Sequence, residues 1–163
     1  MQIRSAHADD AKAIAAIYNP YILTTTISLE EEAVTDAAIA QRIADVQAGG
    51  LPWLVAERDG KVLGYAYATK WRVRHAYRFS VESSVYLAPE AARQGVGSAL
   101  YTALLQQLAE RGVHLVIGGI ALPNDASVAL HEKMGYEKVA HFREVGFKFD
   151  RWLDVGYWQK TLA

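Results

Sequence analysis

Residues Val85–Gly112 read VYLAPEAARQGVGSALYTALLQQLAERG. A mostly apolar, strand-like run feeds a loop holding Arg93, Gln94, Gly95 and Gly97, and the loop opens directly into a helix. Val96, Leu100, Leu104 and Leu108 fall on one stripe of that helix, and Gly112 supplies its stop. A helix N-terminus carries unpaired backbone N–H groups and a partial positive charge, and glycines before it let the backbone approach an anion closely. RQGVGS, Arg93–Ser98, therefore has the composition of a phosphate cradle. Each contact of a helix terminus with an anion is worth about 0.3–1 kcal/mol, and up to ~2 kcal/mol when partly buried, so Arg93 and several amides together make a site for a pyrophosphate. The plainer alternative is that Gly95 and Gly97 only shape a strand-to-helix turn. Two other phosphate motifs do not fit. The run lacks the Gly-Lys-Ser/Thr ending of a P-loop, and Leu100 stands where a dinucleotide-binding turn needs its third glycine.

The rest of the chain builds a sheet around this stretch. MQIRSA alternates like a short first strand, and Asp9 or Asp10 is placed to cap a helix carrying Ile14, Ile17 and Tyr18, which Pro20 ends or kinks. Thr35 opens a second helix with Ile39, Ile43 and Val46 on one face and Gly49-Gly50 as its stop. WLVAERDGKVLGYAYATKW is two alternating runs around Asp59-Gly60, a hairpin signal because both central positions of a type I′ turn need positive φ. YRFSVESSVYL is a further strand. After Gly112 come the apolar strand VHLVIGGIAL, a short helix capped by Asn124 or Asp125 and stopped at Gly135, and two final β runs. This order predicts one α/β (α+β) domain over residues 1–163. Its sheet is mixed and mostly antiparallel, flanked by helices, and the crossing from about Ser80 to Leu122 makes a central parallel pair. The aromatic run Phe147, Phe149, Trp152, Tyr157 and Trp158 reads as sheet core, with a subunit interface or a pocket wall as alternatives.

Bulk properties narrow the function classes. With 52% hydrophobic residues in 163, the chain has material for a real core. Seventeen Lys plus Arg against 18 Asp plus Glu give a net charge of −1, so no global field draws it to nucleic acid or an anionic membrane, and neither is expected as a partner. There is no cysteine, which removes disulfides, thiolate metal ligands and a cysteine acyl-enzyme. The N-terminal residues lack a signal-peptide pattern and no run of 18 apolar residues occurs, so a soluble cytoplasmic protein is expected.

Three side-chain groups point to chemistry. In VESSVYL the two-residue period puts Glu82, Ser84 and Tyr86 on one face and Val81, Ser83, Val85 and Leu87 on the other. A carboxylate in so apolar a strand is costly unless it is paired with an arginine or functional. Arg72 and Arg74 precede it, two residues apart and so able to face one way, either as a solvated edge or as two guanidiniums for an anionic ligand. His131 begins LHEKMG like a zinc-protease helix, but Gly135 fills the second histidine position, and no metal site is expected. Left to itself, a lone histidine on a short helix is more often structural than catalytic.

VYLAPEAARQGVGSALYTALL resembles the acyl-CoA signature of the GCN5-related N-acetyltransferase (GNAT) superfamily, in which a strand feeds an Arg/Gln-x-x-Gly-x-Gly/Ala loop. IALPNDASVALHEKMGYEKV resembles the second half of that signature, and with FKFDRWLDVGYWQ the likeness spans the chain and is nearest the phosphinothricin and methionine sulfoximine acetyltransferases. Ala92 departs from the signature where Arg or Gln is frequent, which shifts that anion contact to backbone amides and Arg93. The resemblance implies acetyl-CoA as co-substrate, contacted by Val85, Tyr86, Leu87, Arg93, Gln94, Gly95, Val96, Gly97, Ser98, Asn124 and Ser127. It implies Glu82 as the general base, and His131 or Tyr86 as the group protonating the CoA thiolate. It further implies a small-molecule acceptor amine held by Arg72, Arg74, Tyr77 and Glu82, with residues of Thr24–Glu31 also facing the acceptor, and a homodimer. Acceptors of another kind (a protein N-terminus, a polyamine, an aminoglycoside) and a non-catalytic acyl-CoA binding module are the alternatives.

Overall fold

A computed structural model describes residues 1–162. Seven strands form one sheet in the order β1-β2-β3-β4-β5-β7-β6. In chain order they are β1 Gln2–Ser5, β2 Trp53–Arg58, β3 Lys61–Lys70, β4 Ser80–Leu87, β5 Leu115–Leu122, β6 Glu137–Lys148 and β7 Arg151–Thr161. Every neighbouring pair is antiparallel except β4 and β5, which run parallel. Helices α1 (Ala11–Thr24) and α2 (Asp36–Ala48) cover one face, and α3 (Val96–Glu110) and α4 (Asp125–Lys133) cover the other. The mixed sheet with one parallel pair matches the architecture expected from the order of the runs.

Local chemistry explains the elements. Asp59 and Gly60 both have positive φ (53° and 77°), as a tight β2–β3 hairpin requires. Thr35 caps α2 by accepting the Ala38 N–H at 3.0 Å, and Ile39, Ile43 and Val46 are buried beneath it. On α3, Val96, Leu100, Leu104 and Leu108 are all at most 1% exposed, each such side chain contributing roughly 1.5–3 kcal/mol by leaving water. Asn124 caps α4 through its Oδ1, which accepts the Ser127 N–H at 3.2 Å.

Four expectations need correction. Pro20 does not end α1, which continues past it to Thr24; lying inside the helix, the proline has no N–H to give the Ala16 carbonyl. Neither Asp9 nor Asp10 caps α1 with its side chain, because the Asp10 carboxylate is engaged by Arg4 at 2.8 Å and by the His7 N–H at 2.9 Å. β4 begins at Ser80 and not at Tyr77, which belongs to a 3-10 turn, His75–Tyr77. Of the C-terminal aromatics Trp158 is core, but Phe147, Phe149 and Trp152 are more than half exposed. They lie towards the β6–β7 turn, and β6 is an edge strand with β7 as its sole neighbour in the sheet.

Candidate active site

The site begins where two parallel strands part. β4 and β5 pair only at Ser80–Leu115, Val81–Val116 and Glu82–Ile117, although both strands continue for several residues. In the β3–β4 ladder the Ala88 N–H bonds the Leu63 carbonyl and the Trp71 N–H bonds Ser80, which sets the alternation. By that alternation the backbone of Glu82, Ser84 and Tyr86 faces β3, and that of Val85 and Leu87 faces the gap. Across the gap, the Leu162 to His114 bond sets β5 so that Gly119 and Ala121 turn their N–H and C=O groups towards β4. The Tyr21 hydroxyl takes the Leu87 carbonyl at 2.5 Å, leaving the Leu87 N–H and both groups of Val85 open. Of the three strand residues read from sequence as cofactor contacts, Tyr86 thus offers a side chain to the cleft but no free backbone.

The gap widens into a cleft of about 280 Å³ lined by Val85–Pro89 and Ala92 on one side, and by Gly119–Ala121, Asn124, Ser127, Leu130 and His131 on the other. The glycine loop adjoins it. Arg93 and Gly95 are both left-handed (φ 62° and 77°), and no side chain caps α3, so the N–H groups of Val96, Gly97 and Ser98 have no partner in the helix. The two glycines do different work. Gly95 supplies the left-handed conformation; Gly97 is buried, and a Cβ there would sit 3.1 Å from Leu130 and 3.6 Å from Leu87. Gly97 therefore allows α3 to pack close to α4 and β4. Gln94 turns outward: its amide oxygen accepts from Arg58 at 2.8 Å and its NH₂ donates to the Glu90 carbonyl at 2.6 Å. Its side chain braces the loop, while that of Arg93 is exposed.

Glu82 stands at the apex of the fork, on the α1–α2 face of the sheet. It is half-buried, and burial pushes its carboxyl above the usual glutamate range against the opposing pull of the Arg72 charge. The Tyr157 phenol on β7 is pushed up by its own burial and then by Glu82, which puts all three groups in one neighbourhood. Arg72 is not on a strand. It lies in the β3–β4 loop, its guanidinium 4.0 Å from the centre of the Trp71 ring and donating to the Trp71 carbonyl at 3.1 Å. The strand-like alternation assumed for Arg72 and Arg74 therefore fails, because β3 has ended at Lys70. Arg74 and Tyr77 are exposed in the same loop and form no side-chain hydrogen bond or ion pair with the described residues.

On the opposite face His131 is buried against β5. Its Nδ1 is 2.7 Å from the Ser127 carbonyl and its Nε2 is 2.9 Å from the Tyr101 hydroxyl. Burial lowers its pKa from the usual histidine value, more than the Ser127 bond raises it, so the ring is neutral near pH 7. Gly118 makes its room: a Cβ there would lie 2.8 Å from both Cδ2 and Nε2. Tyr86 belongs to the other face, in an aromatic cluster with Tyr18 (4.8 Å), Tyr21 (5.3 Å) and Tyr65 (5.6 Å), and burial holds its phenol well above 10.

Sequence reasoning missed several participants. Tyr101, Ser83 and Tyr136 form a buried hydroxyl chain behind His131. Ser83 carried a signal, being polar among Val81, Val85 and Leu87 on the face covered by α3 and α4. The segment Thr24–Glu31, unreadable from sequence, is tied down from three directions. Tyr18 bonds Ser28 and Glu30, Arg42 grips Glu30 through two bonds (3.0 and 2.8 Å), and buried Lys148 donates to the Ser28 carbonyl at 2.6 Å. This holds Ile27 in the cleft wall. Among the described residues no group of three or more His, Cys, Asp or Glu side chains gathers as metal ligands, and no helix is long and apolar enough to cross a membrane.

Comparison with known proteins agrees with this geometry. Residues 3–156 match the family model described as the acetyltransferase (GNAT) domain. The chain is 44% identical over 161 residues to a phosphinothricin N-acetyltransferase of Alcaligenes faecalis, covering 98% of this chain and 82% of that protein. It is 38% identical over 163 residues to an L-methionine sulfoximine/L-methionine sulfone acetyltransferase of Salmonella typhimurium, covering 99% and 95%. Among solved structures, a phosphinothricin acetyltransferase from Sinorhizobium meliloti in complex with AcCoA superposes with a TM-score of 0.95 at 37% identity, covering 99% of this chain and 88% of that one.

Proposed function

The chain belongs to the GNAT acetyltransferase family, and from that premise we propose that it moves the acetyl group of acetyl-CoA to the amine of an anionic amino-acid analogue of the phosphinothricin, methionine sulfoximine or methionine sulfone type. The observation that carries this reading is the half-buried Glu82 carboxylate at the apex of the β4–β5 fork with the Arg72 charge beside it. One group suits an amine that must lose a proton, the other an acidic group on the same small molecule.

The residues present fit acetyl-CoA. In this reading the first-turn amides of α3, with Arg93, take the pyrophosphate, and the open backbone of Val85 with the Leu87 N–H takes the amides of the pantetheine arm. Asn124 and Ser127 border the same cleft, and the Asn124 side chain caps α4 by accepting the Ser127 N–H. A strand N–H directed at the thioester oxygen stabilises the developing oxyanion, a contribution commonly worth ~3 kcal/mol. Glu82 takes the amine proton and nitrogen attacks the thioester directly, the chain having no cysteine to carry an acyl group. His131 is the better-placed proton source for sulfur, since Tyr86 sits in the aromatic cluster on the opposite sheet face. Arg74, Tyr77 and Ile27 complete the proposed acceptor contacts, and no metal takes part.

The whole chain, residues 1–163, is one catalytic domain in this reading. The exposed Phe142, Val145, Phe147, Phe149 and Trp152 on the β6–β7 hairpin support a homodimer, which sedimentation velocity tests. A cytoplasmic setting and an absence of nucleic-acid and membrane partners belong to the same proposal. The decisive assay is CoA release followed with a thiol-reactive dye, across methionine sulfoximine, methionine sulfone, phosphinothricin, polyamines and short peptides. With no cysteine in the protein, every thiol detected is CoA. Fast release with the anionic analogues supports the proposal, and release only with polyamines or peptides replaces the acceptor. Glu82→Gln is expected to lower kcat by about 10²–10⁴-fold with little change in acetyl-CoA KM; equal turnover removes Glu82 from the role.

A further inference from the structure

His131 has no free ring nitrogen. The Ser127 carbonyl only accepts, so Nδ1 at 2.7 Å carries the proton, and Nε2 of the neutral ring accepts from the Tyr101 hydroxyl at 2.9 Å. The hydrogen-bond chain does not stop there. The Tyr101 hydroxyl also lies 3.2 Å from Ser83 Oγ, which lies 2.9 Å from the Tyr136 hydroxyl. All four side chains are shut away from solvent: Tyr101 is 0%, His131 and Tyr136 are 3%, and Ser83 is 4% exposed. The titratable groups facing the imidazole are Tyr101 from α3 and Tyr136 from the turn after α4, with ring centres 5.1 and 4.9 Å away. β4 contributes Ser83, β5 the bare backbone of Gly118, and α4 itself Ser127; no carboxylate or cation among the described residues is bonded to the ring. Ser83, Tyr101 and His131 nonetheless all border the cleft.

A proton donor whose two nitrogens are both engaged delivers through a partner. We propose that Tyr101 is the group through which His131 passes its proton to the departing sulfur, with Ser83 and Tyr136 as the hydroxyls that take up the hydrogen bond when Tyr101 reverses direction. The proposal rests on the acyl-transfer reading above. In the step, the carbon–sulfur bond breaks with its electron pair on sulfur and the Tyr101 O–H proton moves to sulfur. The ring, neutral at rest, first takes a proton from solvent on Nε2 while Tyr101 turns to accept from it, and this Nε2–H proton moves to the Tyr101 oxygen as the phenol proton leaves for sulfur. Tyr101 ends with one proton, as it began, and His131 ends as the neutral Nδ1–H ring found in the structure. His131 regains its proton from water once CoA has left.

Tyr101→Phe keeps the ring and removes only the hydroxyl, so it separates relay from packing. Wild type is assayed first to fix an acceptor that turns over. On that acceptor, Tyr101→Phe is expected to lose at least ~10-fold in kcat, with acetyl-CoA KM within about twofold and loss of the pH limb that belongs to His131. Tyr136→Phe, at the far end of the chain, is expected to lose less, about two- to fivefold, and to shift that limb without abolishing it. Direct delivery from His131 predicts the reverse, because Tyr101→Phe frees Nε2; unchanged or higher kcat with an unchanged pH profile overturns the relay. A lower kcat with an unaltered profile and a lowered Tm reassigns Tyr101 to packing and also overturns it. The ring tautomer is read by ¹⁵N NMR of the wild-type protein without any acceptor, and a proton on Nε2 in the neutral form overturns the relay whatever the kinetics. A wild type inactive with every acceptor refutes the acyl-transfer reading instead, and takes the delivery step with it.

Discussion

Gly118→Ala tests the design of the His131 site with a single methyl group. Gly118 lies in β5 without a positive φ, so alanine meets no backbone strain there. What it meets is the imidazole: the new Cβ would lie 2.8 Å from Cδ2 and Nε2, where ordinary contact begins near 3.4 Å. His131 must move by more than half an ångström, yet its two nitrogens are pinned by Ser127 and Tyr101 and it has almost no exposed surface through which to swing. Overpacking of this kind costs about 1–3 kcal/mol, while replacing a strand glycine by alanine returns about 0.5–1 kcal/mol of backbone entropy. The net expectation is a loss of roughly 1–2 kcal/mol, or about 2–8 °C in Tm for a chain of this size. Thermal unfolding and steady-state kinetics read the two consequences, with kcat falling more than acetyl-CoA KM rises. Gly146→Ala is the control, because its Cβ would make only ordinary contacts of 3.5 Å or more, and it should be neutral or slightly stabilising. A Gly118→Ala protein as stable and active as Gly146→Ala would refute the account of His131 as a tightly fixed group.

Two further outcomes follow from the site. Glu82 is raised by burial and lowered by Arg72, and as a base it works only when ionised, so activity should rise with pH through its pKa. Arg72→Gln removes the lowering influence and should move the acidic limb of the kcat/KM profile to higher pH; an unmoved limb separates Arg72 from Glu82. Gly95→Ala forces an L-residue into φ 77°, which costs about 1–2 kcal/mol. Its Cβ has nothing within 4 Å, so the loss should appear in Tm and in acetyl-CoA KM, with kcat at saturation preserved.

The sequence made some parts of this molecule plain because they depend on neighbours along the chain. The Asp59-Gly60 hairpin, the Thr35 cap and the α3 stripe are each set by a few adjacent residues, and each is where the pattern put it. Glu82 was legible because alternation assigns a face and a carboxylate on an apolar strand stands out. What stayed hidden depends on distant chain. Lys148 reaches Ser28 across 120 residues, and Ser83 meets Tyr136 across 53, contacts that no periodicity encodes. Arg72 and Arg74 misled for a related reason. Two residues spaced by two look like strand whether or not β3 still has a partner to pair with, and β3 stops at Lys70. Gly97 shows the same limit, since its backbone belongs to the cradle while its missing side chain answers to Leu130 on another helix.

The parting of β4 and β5 makes the fold thermodynamically unfinished. Three residue pairs join strands β1–β4 to strands β5–β7, and past them a row of backbone groups, the N–H and C=O of Val85, Gly119 and Ala121 with the Leu87 N–H, has no backbone counterpart among the described residues. A ligand whose own amides lie along that row supplies the rungs the polypeptide lacks, and ties the two half-sheets as a strand would. Such a ligand is a structural member as well as a reactant. At a concentration 100 times its Kd it would add about 2.7 kcal/mol to the unfolding free energy. The cell's supply of that ligand would then set how much of the protein survives, and not only how fast it works.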